Sequence, residues 1–453
     1  MKRIFAIVAA ILAVAAAVAQ SPEAIRESLA RYPNLACPTA STYPSVPLGE
    51  IAKAPEGFEP FHFLLVGRHG SRYEQSSKKF AKTLSTFAKA DSLGILTAEG
   101  KLLYKRLDAI YRAQLGYEGE LADLGFEQWR GIASRAYANF KSIFDNGSIE
   151  AKSSRSMRCV MSMASFNETM KALRPQIKIW QHARNADQPI VRPITENPNV
   201  SKRSEEIHKE YMKRGAWTKE RKKWDYEYDG SSFVSKVTTD REAFLKMCGA
   251  KRDFRITRYA FHMLLFGENF EMGDRELLTR LFTVDEMYGI YVYQTAQWVN
   301  NLIGVGNDMV AMRQSYVRPL IEDILASGNA AIEGKNPDTA NLRFTHDSYV
   351  GPLLSIIGYE GAVAKCGDDL EAAATSFNHG MMVPMAANLQ LVLYRNKRGE
   401  VLVRSLINER DATLPIKCKT APFYPWKDFC KFVHKNMERN DKSKERVLAT
   451  YDK

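Results

Sequence analysis

The sequence predicts an α/β protein in which an α/β core is interrupted by an inserted, mostly helical lobe. Short apolar segments alternate with amphipathic helical patterns between residues 61 and 185. Residues 186–335 carry long helical patterns and few strand signals, and the alternation resumes at Asn341–Thr345. We therefore assign residues 20–185 and 336–453 to the core and residues 186–335 to the lobe.

The N-terminal segment, residues 1–19, predicts a secretory signal peptide. Lys2 and Arg3 precede an unbroken apolar run that reaches Ala19, and the run ends in the small residues typical of a cleavage site. This run is shorter than the roughly 20 residues that a membrane-spanning helix needs. We therefore expect cleavage before Gln20 and a periplasmic or secreted protein that keeps no membrane anchor.

The core elements follow from apolar spacing. Residues 20–60 are rich in Pro, Ser and Ala and predict an extended lead-in. Helices are predicted after the first strand, the second of them capped by Thr97, with a third over roughly 121–143 and a fourth from about Ser156. The C-terminal segment from Lys427 predicts a charged helix or tail. The predicted strands are Phe61–Gly67, Ile149–Ser153, Ile177–Trp180, Asn341–Thr345, Leu389–Tyr394 and Val401–Ile407, and Asn396–Gly399 predicts a hairpin between the last two.

The six cysteines fit an exported protein. No C-x-x-C pair occurs, which argues against structural zinc and thioredoxin-like redox chemistry. Cys418 and Cys430 are close in sequence and are the preferred disulfide pair. Cys159 lies in a predicted helix, where a buried thiol is expected.

The charge balance is basic, with 64 Lys and Arg against 52 Asp and Glu and a formal net charge of +12. A basic surface attracts anionic partners such as nucleic acid or polyphosphorylated small molecules, and it is equally compatible with a generic solvated surface. No nucleic-acid-binding module is recognisable, so nucleic acid is not an expected partner. Apart from the histidines of the motifs below, the histidines are scattered and form no metal-ligand pattern.

The first chemical motif follows the strand that ends at Gly67. Arg68-His69-Gly70-Ser71-Arg72 places two guanidinium groups on either side of one imidazole. Guanidinium groups stay charged and bind phosphoryl oxygens through planar pairs of N–H groups. A neutral imidazole nitrogen can attack phosphorus and form a phosphohistidine. The alternative is a basic turn whose side chains only pair with acids.

Two further motifs also follow predicted strands. Arg155 and Arg158 lie at the start of a helix, where backbone N–H groups favour an anion. His346 and Asp347 follow the strand Asn341–Thr345. His346 can donate a hydrogen bond to a phosphoryl oxygen, and Asp347 can protonate a leaving alcohol if burial or phosphate charge raises its pKa.

Together these motifs resemble the histidine phosphatase superfamily, and within it the histidine acid phosphatase branch. The resemblance implies a three-layer α/β core with a helical lobe over the phosphate pocket, and it implies no cofactor and no metal ion. It assigns His69 as nucleophile and Asp347 as general acid. Arg158 is preferred to Arg155 because its spacing to Ser162 and Phe166 matches the family pattern. The implied phosphate-binding residues are Arg68, Arg72, Arg158 and His346.

Different motifs of the chain resemble two different subgroups of this branch. Residues 54–58 and 68–73 resemble the multiple inositol polyphosphate phosphatases. Those enzymes typically carry His-Ala-Glu at the distal motif, whereas His346-Asp347-Ser348 resembles bacterial phytases and general acid phosphatases. Glu74 stands where the family usually has proline, and an acid there is unfavourable unless it points away from the anion.

The resemblance implies hydrolysis of a small, polyanionic phosphate monoester. Inositol polyphosphates such as phytate come first, and broad acid phosphatase or sugar-phosphate phosphatase activity comes second. A non-catalytic phosphate-ester-binding protein is the alternative of another class. The run 213–228 alternates basic and aromatic side chains, which could contact remote phosphates or form a solvent-exposed helix.

Overall fold

A computed structural model of the chain describes most of the residues that follow the predicted signal peptide. Residues 1–19, which were predicted to be a signal peptide, lie outside the described residues, and so do residues 215–222 and 225–226 of the basic and aromatic run. Within the described ranges, no helix has the length and apolar character needed to cross a membrane. The described residues are 20–196, 202–214, 223–224, 227–249, 253–304, 307–363 and 369–451.

One mixed sheet organises the structure. Its strand order is β3-β2-β4-β1-β5-β6-β7, with β8 also paired to β6. The four strands β3, β2, β4 and β1 are parallel, whereas β5 and β6 are antiparallel to their neighbours. The strands are β1 (Glu59–Arg68), β2 (Ser148–Ser153), β3 (Lys178–His182), β4 (Ala340–Thr345), β5 (Asn388–Arg395), β6 (Val401–Ile407), β7 (Arg410–Asp411) and β8 (Phe423–Pro425).

Helices cover both faces of the sheet. In the first part of the chain they are α1 (Pro22–Arg31), α2 (Ser77–Ser92), α3 (Ala98–Gln114), α4 (Asp123–Asn139), α5 (Lys141–Asp145), α6 (Met157–Leu173), α7 (Gln188–Val191), α8 (Pro193–Glu196) and α9 (Lys202–Arg214). The following helices are α10 (Ser231–Val237), α11 (Arg241–Cys248), α12 (Asp253–Phe266), α13 (Arg275–Leu281), α14 (Val284–Trp298), α15 (Asn307–Ser315) and α16 (Arg318–Ile332). The last helices are α17 (Asp347–Ile357), α18 (Leu370–Ser376), α19 (His379–Met382) and α20 (Trp426–Tyr451).

Strand β1 is buried on both sides, which makes it the centre of the layered structure. Phe63 and Leu65 pack with apolar residues of α4, α5 and α6 on one face. Leu64 and Val66 pack on the other face in a second cluster, which extends through α12, α14, α16 and α17. Because alternate residues of a strand point to opposite faces, a continuous apolar strand suits a sheet covered on both sides. The predicted three-layer α/β class is confirmed.

The predicted core strands are found at or within two residues of the expected positions, and β5 and β6 form the predicted antiparallel hairpin. The expected helix over 121–143 is instead two helices, α4 and α5, which are separated at Phe140. Phe140 leaves the helical conformation and packs its ring 5.9 Å from that of Phe63. The assignment of residues 186–335 to a separate lobe stays a prediction, and α16, which lies in that range, packs against β1.

The expectation of an extended lead-in over residues 20–60 was wrong. Ser21 caps α1 by accepting the N–H of Ala24, and two 3₁₀ turns follow at Pro33–Ala36 and Pro38–Ala40. Ile25 and Leu29 lie one helical turn apart and are fully buried. The Pro-, Ser- and Ala-rich composition suggested an extended chain, whereas the Ser21 cap and the spacing of the apolar residues predict this amphipathic helix.

The preferred disulfide was also wrong, because Cys418 and Cys430 are free thiols in the structure. Cys418 precedes β8, and its sulfur lies 3.0 Å from the Thr420 hydroxyl. Cys430 lies on α20, beyond β8, so nearness along the chain did not bring the two sulfur atoms together. Cys37 and Cys159 are buried free thiols, and Cys366 lies outside the described residues.

Candidate active site

The predicted site residues meet at one edge of the sheet. Strands β1, β2 and β4 are parallel, with Arg68 opposite Thr345 and Ser153 opposite Phe344 at their carboxyl ends. The residues that follow these strands therefore share one edge, which is where open α/β sheets place their ligands. All six predicted residues are gathered there: Arg68, His69, Arg72, Arg158, His346 and Asp347.

Arg68 is the last residue of β1 and is almost completely buried, with 1% of its surface exposed. Its two Nη groups donate to the carbonyl oxygens of Val383 and Thr39 at 2.8 and 2.9 Å. Its Nε lies 4.0 Å from an oxygen of Asp347. The two carbonyl oxygens therefore hold the guanidinium group at a set position beside the Asp347 carboxylate.

His69 follows Arg68 and is fixed by its own turn. Its Nδ1 lies 2.9 Å from the Gly70 carbonyl oxygen, which can only accept, so Nδ1 carries the proton. The other nitrogen, Nε2, consequently keeps a free lone pair. Burial, together with the nearby Arg68, lowers the pKa of His69 well below its usual value. The imidazole is therefore neutral and has the nitrogen of a nucleophile available.

Gly70 is required where the turn that follows β1 passes α4. A Cβ atom at this position would lie 2.5 Å from the Gly125 carbonyl oxygen, closer than any real contact. The Gly70 N–H donates to the Ser162 hydroxyl at 3.0 Å, and the Ser71 N–H donates to Gln128 at 2.8 Å. The turn is thus bound to both α4 and α6, which sets the direction of the His69 side chain.

Arg72 is the second arginine of the motif and is largely buried. Its Nη1 donates to the Tyr73 carbonyl at 2.7 Å, and the guanidinium carbon lies 5.5 Å from the centre of the Phe266 ring. Burial lowers the pKa of Arg72 to about 10 despite the opposing charge of Glu74, so the guanidinium stays positive at neutral pH.

The structure distinguishes between the two candidate arginines of α6. Arg158 lies in its first turn, and Nη2 is 3.5 Å from Nδ1 of His346. Arg155 is exposed and pairs with Glu196 at 2.7 Å, away from this cluster. Arg158, the preferred residue, is therefore the one that joins the site.

His346 is held on two sides. Its Nε2 lies 3.2 Å from the Ser154 hydroxyl, and its ring meets that of His69 edge to face with centres 5.5 Å apart. Cys159 lies below the ring, with its sulfur 3.6 Å from Nε2. Burial, together with Arg158, lowers the pKa of His346 to about 3, so this imidazole is neutral as well.

Asp347 begins α17, and its carboxylate is about one quarter exposed at 23%. Trp298, at the end of α14, donates its indole N–H to the carboxylate at 3.3 Å. Burial pushes the pKa of Asp347 upward, but Arg68 and Trp298 outweigh it, and the pKa lies below its usual value. Burial alone therefore does not meet the condition that the general-acid role sets, which leaves the charge of a bound phosphate to raise this pKa, and in the free protein the carboxylate is ionised.

Three guanidinium N–H groups in this cluster make no hydrogen bond to the described residues, although Nε of Arg68 lies 4.0 Å from a carboxylate oxygen of Asp347. The Nε atoms of Arg68, Arg72 and Arg158 are buried and make no hydrogen bond. A buried donor without an acceptor is costly, and such groups mark sites that an acceptor fills. Three such donors in the cluster that contains His69 can bind an anion with several oxygens.

Sequence reasoning missed the residues that support the site. Ser154 was detectable, because it directly follows β2 at the sheet edge. Trp298 carries no local signal, since it lies 49 residues before Asp347. His262 of α12 carries no local signal either, and its Nε2 lies 3.4 Å from Glu74. Glu74 in turn lies 3.7 Å from Arg72, so it does not point away from the site.

The fold and this cluster define a histidine phosphatase. Residues 62–408 match the family model of the histidine phosphatase superfamily (branch 2), and the chain belongs to this family. It is a histidine acid phosphatase. Within the described ranges, no group of three or more His, Cys, Asp and Glu side chains is arranged to hold a metal ion.

Solved structures of phosphatases share this fold. The Bifidobacterium longum multiple inositol polyphosphate phosphatase, in complex with inositol hexasulfate, is 18% identical, with a TM-score of 0.66 over 86% of this chain and 93% of that chain. The D. castellii phytase is 17% identical, with a TM-score of 0.65 over 90% and 85%. The Hafnia alvei phytase is 13% identical, with a TM-score of 0.53 over 86% and 99%. No curated protein matches the sequence.

Proposed function

We propose that the protein hydrolyses phosphate monoesters through a phosphohistidine on His69, without a metal ion, and that inositol polyphosphates such as phytate are its main substrates. One observation carries the proposal. The buried Nε–H groups of Arg68, Arg72 and Arg158 make no hydrogen bond within the described part of the chain, and the charges of these three arginines act on a neutral histidine, His69. They supply the charge that balances a phosphoryl group, and the histidine supplies the nucleophile.

The first chemical step transfers the phosphoryl group to His69. The lone pair on Nε2 attacks phosphorus while the bond from phosphorus to the ester oxygen breaks. Asp347 gives its proton to the departing oxygen, which leaves as an alcohol. The three arginines accept no proton and act only by donating hydrogen bonds to the phosphoryl oxygens.

Asp347 needs a proton for this step, although its carboxylate is ionised before substrate binds. A bound phosphate dianion adds negative charge beside the carboxylate, and like charge raises its pKa. Substrate binding therefore draws a proton onto Asp347 from solvent. In the second step the Asp347 carboxylate takes a proton from water as that water attacks phosphorus. The bond from phosphorus to Nε2 breaks, orthophosphate leaves, and His69 recovers its lone pair.

The proposed substrate class rests on charge and on resemblance. The chain has a net charge of +12, which favours polyanions. The similar Bifidobacterium longum phosphatase was solved with inositol hexasulfate, an analogue of a phosphorylated inositol. One observation favours a second candidate, a broad acid phosphatase or sugar-phosphate phosphatase. Glu74 lies 3.7 Å from Arg72 and reduces the positive charge at the edge of the site, which suits a substrate with a single phosphate.

The deciding experiment measures phosphate release from inositol hexakisphosphate by residues 20–453 with a chelator present. His69→Ala is assayed beside the wild type, and His434→Ala, which changes an exposed histidine of α20, is the matched control. We expect release by the wild type and the control but not by His69→Ala. Release only from small monoesters would favour the second candidate. Absence of any turnover and of any labelled phosphohistidine would favour a non-catalytic phosphate-binding protein.

We also propose that the protein is exported to the periplasm or secreted. The basic residues, apolar run and small-residue cleavage pattern of residues 1–19 support this. Expression of the full chain in a bacterial host, followed by N-terminal sequencing of the extracytoplasmic fraction, tests it. A mature protein that begins at Gln20 is the expected result, and retention of residues 1–19 in the cytoplasm would contradict it.

A further inference from the structure

The two nitrogens of His346 face different kinds of neighbour. Nδ1 lies 3.5 Å from Nη2 of Arg158, and Nε2 lies 3.2 Å from the hydroxyl of Ser154. A guanidinium group only donates hydrogen bonds, so it favours a lone pair on Nδ1. The ring is neutral, because burial and Arg158 lower its pKa to about 3. In the free protein its single proton therefore lies on Nε2 and is donated to Ser154.

A bound phosphoryl group favours the opposite tautomer of His346, with the proton on Nδ1. Its oxygens only accept hydrogen bonds, and Arg158, on the Nδ1 side, is one of the proposed phosphate ligands. For His346 to donate to the same anion, Nδ1 must carry the proton. A neutral ring has only one proton to place, so Nε2 then becomes an acceptor and needs a donor.

Ser154 is able to supply that donor. Its hydroxyl oxygen accepts the N–H of Ser156 at 3.3 Å, which leaves its own hydrogen free to point at Nε2. The other group near Nε2 is the Cys159 thiol, and this thiol already donates to the Thr345 carbonyl at 3.1 Å. Ser154 is fully buried, so a solvent molecule does not readily replace its hydroxyl.

We propose that Ser154 is a positioning residue that selects the tautomer of His346. Its hydroxyl accepts from Nε2 in the free protein and donates to Nε2 when a phosphoryl group is bound. Nε2 releases its proton to solvent, and Nδ1 takes one up from solvent, to which His346 is 8% exposed. The charge of His346 is unchanged, and rotation of the Ser154 hydroxyl provides the hydrogen-bond donor that the deprotonated Nε2 requires. This inference rests on the proposed function, since it assigns Nδ1 to the phosphoryl group.

The backbone keeps Ser154 in place for this role. The N–H of Ser154 donates to the Phe344 carbonyl at 2.9 Å, at the end of the strand that leads into His346. The adjacent Ser153 is equally buried, but its hydroxyl donates to the Ser154 carbonyl at 2.8 Å. Ser153 is therefore a matched control, because its hydroxyl already donates a hydrogen bond to a backbone carbonyl.

The test is ¹⁵N NMR of the protein labelled at histidine ring nitrogens, with and without inorganic phosphate. The His346 signals are assigned by their loss in His346→Asn. We expect the protonated nitrogen of a neutral His346 to be Nε2 in the free protein and Nδ1 in the phosphate complex. A proton that stays on Nε2 with phosphate bound overturns the inference, and so does a doubly protonated ring.

Variants give a second, independent measurement by calorimetric titration with inorganic phosphate. Loss of one buried hydrogen bond predicts about tenfold weaker binding for Ser154→Ala. Ser154→Thr, which keeps a hydroxyl, and Ser153→Ala are expected to stay within about threefold of the wild type. Equal binding by Ser154→Ala overturns the inference while phosphate binding and turnover stand. Absence of phosphate binding and turnover in the wild type defeats the proposed function as well.

Discussion

Asp347 and Arg68 form a pair across two adjacent parallel strands, with a carboxylate oxygen 4.0 Å from the buried Nε of the arginine. Arg68 ends β1 and Asp347 follows β4, so the register of the two strands sets this distance. The charge of Arg68 lowers the pKa of Asp347 and so keeps its carboxylate ionised in the free protein. In the proposed mechanism the same arginine binds the phosphoryl group and lies beside the proton donor.

Replacement of Asp347 by asparagine tests its role as general acid. We expect hydrolysis of inositol and sugar phosphates to fall about 10²- to 10⁴-fold, because their alkoxide leaving groups need a proton. Hydrolysis of p-nitrophenyl phosphate should fall far less, since its leaving group departs as a stable anion. The measurement is kcat for both substrate types. Asp123→Asn, at an exposed position of α4, serves as the control. Equal losses for both leaving groups would contradict the role.

The indole N–H of Trp298 stabilises the ionised form of Asp347, so its removal should raise the pKa of that carboxyl group. A hydrogen bond to a charged group is worth enough to move a pKa by about one unit. Because the proposed mechanism needs the protonated carboxyl with substrate bound, Trp298→Phe should move the alkaline limb of the kcat profile to higher pH. Trp180→Phe, at an exposed tryptophan, should leave the profile unchanged. A limb that moves to lower pH would contradict this assignment.

The sequence predicted the candidate catalytic residues better than the residues that position them through hydrogen bonds. His69, His346 and Asp347 each follow a buried strand, and parallel strands bring their carboxyl ends to one edge. Thr39 and Trp298 meet the site only through tertiary packing of α14 and of the N-terminal segment, so no local spacing predicts them. The lowered pKa of Asp347 likewise depends on Arg68 and Trp298, which only the folded chain brings close to this carboxyl group.

Glu74 tests the choice between polyphosphorylated and singly phosphorylated substrates. Burial pushes its pKa upward, but His262 and Arg72 hold it at about 2, so this carboxylate is charged throughout the working range. Glu74→Gln removes the repulsion between this carboxylate and a phosphate of the substrate, which is worth about 1 kcal/mol when solvent partly screens it. We expect KM for inositol hexakisphosphate to fall about fivefold at low salt, with a smaller change for a sugar monophosphate.

The control for Glu74 is Glu276→Gln, which neutralises an exposed carboxylate of α13. It changes the net charge equally, so it separates a local effect from long-range steering. The fivefold difference should shrink when salt is added, because screening weakens repulsion between charges near the surface. An unchanged or higher KM for the hexakisphosphate in Glu74→Gln would show that this carboxylate does not oppose the anion.

Asp323 of α16 stabilises the core on the face of the sheet that carries the larger apolar cluster. Its carboxylate accepts the Nε–H of Arg343, which is 1% exposed, at 2.5 Å and lies 3.2 Å from Lys152. Asp323→Asn leaves a buried charge without its partner, so we expect a loss of about 3 kcal/mol in the free energy of unfolding at pH 7. Urea denaturation measures it. Asp285→Asn, at an exposed ion pair, should change this energy by less than about 1 kcal/mol.

The destabilisation caused by Asp323→Asn should depend on pH in a defined direction. Burial pushes the pKa of Asp323 upward, but Arg343 and Lys152 outweigh it, and the folded-state pKa lies below its usual value. Such a group contributes its full stability above the unfolded pKa of about 4 and loses it as the pH falls through the folded pKa. The gap between wild type and Asp323→Asn should therefore be smaller at pH 3 than at pH 7. A gap of the same size at both values would mean that packing, rather than charge, carries the effect.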